Sequence, residues 1–263
     1  MRLWLVGCGA MAGAMLGRWL EAGAVAVGDV NVVNRGDRDL PGGVRQARTL
    51  PDGPPPDVVL LGMKPFQIDE VAAAHGAKLA GAGALVSILA GVEEAALAPR
   101  FAGAPIVRAM PNLPVRLGKG VVALHSARAD AGVRATIEAL MQPLGLVEWI
   151  EAQAFDVVTA LAGSGPGFLY RFIDALAAGG VGLGLPADQA QRLAIATVEG
   201  AGLLAAASDA SPAELAERVA SPRGSTREGL KMLDADDALD RLVAATLAAA
   251  TRRNREMAAE ARG

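Results

Sequence analysis

The chain opens on a short apolar run, Leu3-Trp4-Leu5-Val6, which breaks into Gly7-Cys8-Gly9-Ala10-Met11-Ala12 and continues as an Ala-rich stretch with helical spacing. A strand that turns through small residues into a helix, repeated along the chain, is the signature of strand and crossover helix in a parallel sheet. The pattern recurs. Short β-branched runs predict strands at Arg2 to Val6, Val30 to Val33, Val58 to Gly62, Ala84 to Leu89, Pro105 to Met110, Val121 to His125 and Leu146 to Ile150. Apolar residues at three and four spacing predict helices at Ala12 to Ala22, Ile68 to Leu79, Val92 to Phe101 and Ala131 to Met141. Residues 1–150 therefore read as a doubly wound α/β domain.

After Glu151 the strand signals stop, and residues 151–263 are Ala- and Leu-rich helical stretches broken at Gly163 to Gly167, Gly179 to Pro186, Ser208 to Pro212 and Ser221 to Gly224. Their apolar residues lie on more than one face, which calls for a partner subunit or a well-buried central helix. The expected architecture is an N-terminal doubly wound Rossmann-type parallel sheet followed by an all-helical C-terminal dimerisation domain.

Composition narrows the function. With 25 Lys+Arg against 28 Asp+Glu, the net charge of -3 argues against a nucleic-acid partner. One cysteine and two scattered histidines, His75 and His125, offer no metal-ligand cluster. The apolar run before Cys8 is shorter than the roughly 7 to 15 residues of a secretory core, and Arg18 and Glu21 interrupt it before a membrane span is reached. A cytoplasmic protein that does not enter membranes is expected.

In the first turn, Gly7 permits the tight bend, Gly9 lets backbone approach a pyrophosphate, and Ala12 lets the helix pack close to the strand. The amides of Ala10 and Met11 open the helix toward the phosphates. Cys8 reads as a small filler, since a reactive thiol wants a basic partner. The competing reading is a glycine turn that only packs a helix. At the end of the second strand an acid would accept from a ribose 2′-hydroxyl. Asn34 and Arg35 stand there instead, Asn34 able to donate to phosphate oxygens and Arg35 presenting a cationic fork. NADPH is expected, with NADH a weaker substitute; an arginine merely solvated in a turn is the alternative.

Three further blocks fall at strand carboxyl ends: Gly62-Met63-Lys64-Pro65, Ser87-Ile88-Leu89-Ala90-Gly91 and Arg108-Ala109-Met110-Pro111-Asn112-Leu113-Pro114. With Ala162-Gly163-Ser164-Gly165-Pro166-Gly167-Phe168 and Ser221-Pro222-Arg223-Gly224-Ser225-Thr226 in the helical half, the sequence resembles the pyrroline-5-carboxylate reductase family over nearly its whole length. It departs from the family pattern at Phe66, Leu113, Ala162, Gly167, Ala220, Arg223 and Ser225. Between Arg35 and Asp57 the chain is short and Pro/Gly-rich, leaving little room for the helix that the family carries there.

The resemblance implies an NADPH-dependent imine reductase of proline biosynthesis, paired through its helical domain as a homodimer or a ring of dimers. By that resemblance, Thr226 hydrogen-bonds the ring nitrogen. Ser221 and the amides of Gly224, Ser225 and Thr226 take the carboxylate. Met63, Lys64, Pro65, Ala90, Gly91, Met110, Pro111 and Asn112 complete the cofactor site, Lys64 and Asn112 at the nicotinamide ribose. The loop at Ser221 reads independently as a nest for a carboxylate or as a plain cap of the next helix. Ser211-Pro212 with Glu214 reads as an ordinary helix start. Two rival readings remain: a reductase of another small cyclic imine or hydroxy acid, for which Lys231 is the lysine available in the helical half, and a catalytically silent dinucleotide-binding protein.

Overall fold

The computed structural model describes residues 1–41 and 43–260 and divides into two compact units, Met1–Ser164 with Ala250–Gly263, and Gly165–Ala249. The sequence places the boundary at 150/151. In the structure, the turns after Glu151 and the end of the last helix group with the sheet.

The first unit is built on an eight-stranded sheet of order β3-β2-β1-β4-β5-β6-β7-β8. In chain order it contains β1 (Leu3–Val6), α1 (Ala10–Glu21), β2 (Val30–Val33), β3 (Arg45–Ala47), β4 (Val58–Leu61), α2 (Ile68–Leu79), β5 (Ala84–Ser87), α3 (Glu94–Leu97), β6 (Ile106–Pro111), β7 (Gly120–His125), α4 (Ala131–Met141), β8 (Gly145–Trp149) and α5 (Phe155–Val158). Neighbouring strands are parallel except β6 and β7. All four residues of β1 are buried because both sheet faces are covered. Leu3 and Leu5 pack with Met15, Leu16 and Trp19 of α1, while Trp4 and Val6 pack on the other face with Ile68 and Leu79 of α2. The Trp19 indole N–H donates to the Leu140 carbonyl at 2.7 Å, fastening α1 to α4.

Three expectations change. β3 was not foreseen: its Arg45-Gln46-Ala47 is a short, largely exposed edge with no apolar run. The helix expected over Val92 to Phe101 contracts to Glu94–Leu97, because Pro99 cannot donate to continue it. Gly179 lies within a helix rather than ending one. The region 35–57 indeed holds no helix among its described residues, only β3.

The second unit is helical: α6 (Gly165–Gly182), α7 (Ala187–Ala206), α8 (Pro212–Val219), α9 (Ser225–Asp234) and the first part of α10 (Ala238–Glu260), whose end belongs to the first unit. α8 starts as expected, with Ser211 Oγ accepting from the Glu214 N–H at 3.3 Å and Glu214 accepting from the Ser211 N–H at 2.7 Å.

Candidate active site

β1 is flanked by β2 on one side and β4 on the other, so the strand order reverses there and a crevice opens beyond the strand ends. The backbone of the first turn builds its floor. Gly7 has φ +86°, and a Cβ on it would stand 2.5 Å from the Met63 amide nitrogen. Gly9 is the N-cap of α1, and a Cβ there would meet no protein atom within 4 Å, so the missing side chain keeps the cavity clear. Ala12 is buried at the helix–strand contact, with a Cβ on Gly62 reaching it at 3.0 Å. These small residues fit a phosphate group at the amide end of α1.

The cavity holds about 470 Å³ and brings together Gly7, Gly9, Asn34, Arg35, Met63 and Lys64. It also contains residues that sequence reasoning missed: Arg38, Arg48, Glu70 and His75. Arg38 and Arg48 frame the unforeseen β3, and their signal was a density of arginines just after β2. Arg35 pairs with Glu70 across the cavity mouth. Arg48 reaches Asp37 at 3.0 Å and the Asn34 carbonyl at 3.5 Å.

Asn34 departs from its expected role. Its side chain is buried, with Oδ1 accepting from the Cys8 N–H at 2.7 Å and Nδ2 donating to Gln46 Oε1 at 2.7 Å. The carboxamide thus ties the glycine turn to β3, and guanidinium groups are left facing the cavity. Cys8 is buried in the same turn, and burial pushes its thiol up to about 11 although Arg38 pulls the other way, which fits the small-filler reading.

Other expected cofactor residues lie apart from this cavity. Pro65 and Ala90 line a second one, of about 860 Å³, with Met257 from the end of α10. Gly91, at φ +73°, backs onto Met257, where a Cβ would stand 3.2 Å away. Met110, Pro111 and Asn112 line neither cavity. The Asn112 carboxamide accepts from the Val121 N–H at 2.9 Å and donates to the Ala162 carbonyl at 2.9 Å. Both contacts brace the chain around β6, and the ribose contact expected of Asn112 is not among them. The adjacent Arg108 is buried with its guanidinium 3.8 Å from the Phe155 ring centre; burial lowers its pKa against the opposing pull of Glu93, Asp156 and Glu94.

In the second unit, Ser221 and Gly224 close a tight turn, the Gly224 N–H donating to the Ser221 carbonyl at 2.9 Å. A Cβ on Gly224 would stand 2.5 Å from Ser221 Oγ, so a side chain there would turn that hydroxyl away from its present position. Arg223 holds φ +62°, a left-handed conformation that glycine adopts freely and arginine does not. Gly224 caps α9 with no side-chain hydrogen bond, and Ser225 and Thr226 are exposed in the helix's first turn. Their amides have no earlier carbonyl in the helix to bond, which suits an anion. Arg227 fixes this start to α8, donating to both Glu217 carboxylate oxygens at 2.9 and 2.7 Å and to the Ala220 carbonyl at 2.9 Å. The Arg227 hydrogen bonds and charge hold the Glu217 carboxyl below its ordinary range. Lys231 is spent on Glu228 at 2.7 Å. Among the described residues no group of three or more His, Cys, Asp or Glu could hold a metal ion, and no helix is long and apolar enough to cross a membrane.

Residues 152–257 match the family described as pyrroline-5-carboxylate reductase dimerisation. The pyrroline-5-carboxylate reductase of Synechocystis sp. is 34% identical over 89% of this chain and 90% of its own. That of Aquifex aeolicus is 41% identical over 68% of this chain and 67% of its own. Among solved structures, a pyrroline-5-carboxylate reductase from Coxiella burnetii is 27% identical, with a TM-score of 0.87 over 97% of this chain and 98% of that one. The fold is also that of the Plasmodium falciparum pyrroline carboxylate reductase solved with NADP bound, at TM-score 0.85, 22% identity and 98% of both chains.

Proposed function

The chain belongs to the pyrroline-5-carboxylate reductase family, and on that premise we propose that it reduces the C=N bond of 1-pyrroline-5-carboxylate to give L-proline, with NADPH as the preferred reductant. The observation that carries the reaction is the 34% identity to a named reductase across 89% of the chain. It is an oxidoreductase acting on CH–NH donors with a nicotinamide cofactor. Bound at the glycine turn, that cofactor supplies the hydride. The preference for NADPH is supported by a cavity wall carrying Arg35, Arg38 and Arg48, with Asn34 where an acid would repel a 2′-phosphate.

An iminium carbon is already electrophilic, so the chain's own residues have mainly to bind, orient and exclude water. We assign the substrate carboxylate to the Ser221 hydroxyl and the amides of Ser225 and Thr226; the Gly224 amide, expected to join them, is spent on the Ser221 carbonyl. The Thr226 hydroxyl hydrogen-bonds the ring nitrogen. Gly7, Gly9, Ala10, Met11 and Ala12 form the phosphate end of the cofactor site, and Met63 and Lys64 continue it in the turn after β4. Lys64 is a positioning cation rather than a proton donor: it is exposed and lines the same cavity as the glycine turn. Pro65, Ala90, Gly91, Met110, Pro111 and Asn112, expected in the cofactor site by resemblance, line no part of the cavity at the glycine turn.

The dimerisation region makes the protein a homo-oligomer, and we extend this to a homodimer or a ring of dimers in the cytoplasm. The test is consumption of NADPH, followed by its absorbance, with pyrroline-5-carboxylate, with other cyclic imines and with oxo acids, each repeated with NADH. Faster turnover of pyrroline-5-carboxylate is expected. Equal or faster turnover of an oxo acid overturns the substrate, and no turnover of any leaves a silent dinucleotide binder.

A further inference from the structure

Three arginines line the cavity beyond β2, and they differ in what holds them. Arg35 is paired with Glu70, and Arg48 with Asp37 at 3.0 Å. The Arg38 guanidinium, among the described residues, has neither an ion pair nor a hydrogen bond. Its backbone, by contrast, is clamped on both sides. The Arg38 N–H donates to Gln46 Oε1 at 3.2 Å, and Gln46 Nε2 donates to the Arg38 carbonyl at 3.4 Å. Gln46 Oε1 in turn accepts from Asn34 Nδ2 at 2.7 Å, and Asn34 Oδ1 accepts from the Cys8 N–H at 2.7 Å.

A line of side-chain amides therefore runs from the glycine turn through Asn34 and Gln46 to the backbone of Arg38. No helix braces the stretch between β2 and β3 among its described residues, so this line does the bracing. A long cation on a loose loop loses much freedom when it closes on an anion. Fixing its backbone beforehand lowers that loss and leaves only the side chain to order. The field of Arg38 already reaches Cys8 in the glycine turn. Of the three arginines, the one without a partner among the described residues is thus the one whose backbone is fixed relative to the phosphate-binding turn.

We propose that Arg38 is the specificity-determining cation for the cofactor's 2′-phosphate and that Gln46, held by Asn34, is its positioning residue. This rests on the dinucleotide reading given above. The pairs of Arg35 and Arg48 are exposed and contribute little. The assignment therefore has to be separated from those two residues directly.

The test measures calorimetric binding of adenosine 2′,5′-bisphosphate and of 5′-AMP to the full-length protein, with KM for NADPH and NADH alongside. Arg38→Ala is expected to weaken the bisphosphate by about ten- to hundredfold, as for loss of a charge-assisted hydrogen bond. AMP and kcat at saturating NADPH should change less than about twofold, since the 2′-phosphate is remote from hydride transfer. Gln46→Leu should show the same selectivity with a smaller loss. Gln46→Glu has the same shape and keeps the acceptor oxygen, but adds a negative charge beside the phosphate. It should raise KM for NADPH at least as much as Gln46→Leu while sparing NADH.

Equal weakening of bisphosphate and AMP by Arg38→Ala places the residue on the pyrophosphate and overturns the proposal. An unchanged NADPH to NADH ratio in Gln46→Glu overturns it as well. If Arg48→Ala abolishes the bisphosphate preference while Arg38→Ala retains it, Arg38 is the wrong residue although the NADPH reading stands. A parent protein that binds bisphosphate no better than AMP removes the NADPH reading itself. Failure to reduce pyrroline-5-carboxylate affects only the substrate.

Discussion

Gly62 and Gly7 meet backbone to backbone: a Cβ on Gly62 would lie 2.5 Å from the Gly7 carbonyl oxygen, and one on Gly7 would lie 2.5 Å from the amide nitrogen of Met63. Neither obstacle is a flexible side chain, so relief requires moving β4 or the turn. Gly62→Ala is expected to destabilise the fold by about 1 to 3 kcal/mol, the usual cost of overpacking. Because the turn moves as a whole, NADPH and NADH should weaken together. Gly9→Ala supplies the contrast. Its Cβ meets no protein atom within 4 Å, so stability should fall by only about 0.5 to 1 kcal/mol, the difference between glycine and alanine as an N-cap. Cofactor binding should nevertheless fall at least about tenfold, since the methyl group enters the space against which a phosphate would pack. Chemical denaturation with cofactor titration separates the two, and a Gly9→Ala protein that binds NADPH normally would remove the turn from the binding site.

Cys8 sits in that same turn as an inert group. Burial raises its pKa from an ordinary 9.0 to about 11, so at pH 8 the thiolate fraction is about a hundredfold below that of an unperturbed thiol. The native protein should react with a thiol reagent at least about tenfold more slowly than the unfolded chain, the lower thiolate fraction being partly offset by the stronger nucleophilicity of a less acidic thiol. The sign for stability follows from the raised value. The unfolded thiol ionises from about pH 9 and the folded one resists until about pH 11, so the contribution is intact below the lower value and is lost as pH rises through the upper one. Rapid labelling of the native protein at pH 8 would show that the turn opens.

Most of this architecture was legible because burial on both sheet faces leaves a mark in the residues. Val30 to Val33, Ile68 to Leu79 and Ala131 to Met141 are predicted at the bounds the structure shows, each carrying enough apolar residues to set a period. β3 left no such mark, since Arg45-Gln46-Ala47 is an edge ordered by polar contacts to Asn34 and Arg38. The roles of polar side chains were the least legible. Asn34 and Asn112 have the right chemistry to meet a ligand, but each spends both ends of its carboxamide within the protein. Residue type reveals capacity, and only geometry reveals which partner uses it.

The helical unit leaves large apolar side chains uncovered in a single chain, among them Phe168, Leu169, Tyr170 and Phe172 of α6 and Leu203 and Leu204 of α7. Exposed apolar groups on adjacent turns are costly in water and mark a surface meant for a partner. Obligate interfaces bury roughly 2,000 Å² or more. Light scattering at low micromolar concentration is expected to show no monomer. Leu169→Lys with Phe172→Glu should lower the stability of the assembly and the activity together. A folded, fully active monomer would overturn the obligate dimer.

Thr226 is exposed in the first turn of α9, with its neighbours held by the Arg227 link to Glu217 and Ala220. A hydroxyl that hydrogen-bonds the ring nitrogen gains strength as that nitrogen receives electrons from the breaking C=N bond. Its contribution is therefore larger in the transition state than in the bound substrate, and its loss should fall mainly on kcat. Removing such a donor typically costs about 10 to 1,000-fold when it is well aligned. The lower end is expected for a substrate that arrives protonated, because the nitrogen then needs less help as electrons arrive. Thr226→Val keeps the shape and removes the hydroxyl, while Thr226→Ser keeps the hydroxyl and should restore most of the rate. Ser221→Ala, aimed at the carboxylate, should instead act mainly on KM for the imine. If Thr226→Val binds NADPH normally and turns over pyrroline-5-carboxylate at the parental rate, Thr226 serves only the helix, and the donor to the nitrogen must be sought elsewhere.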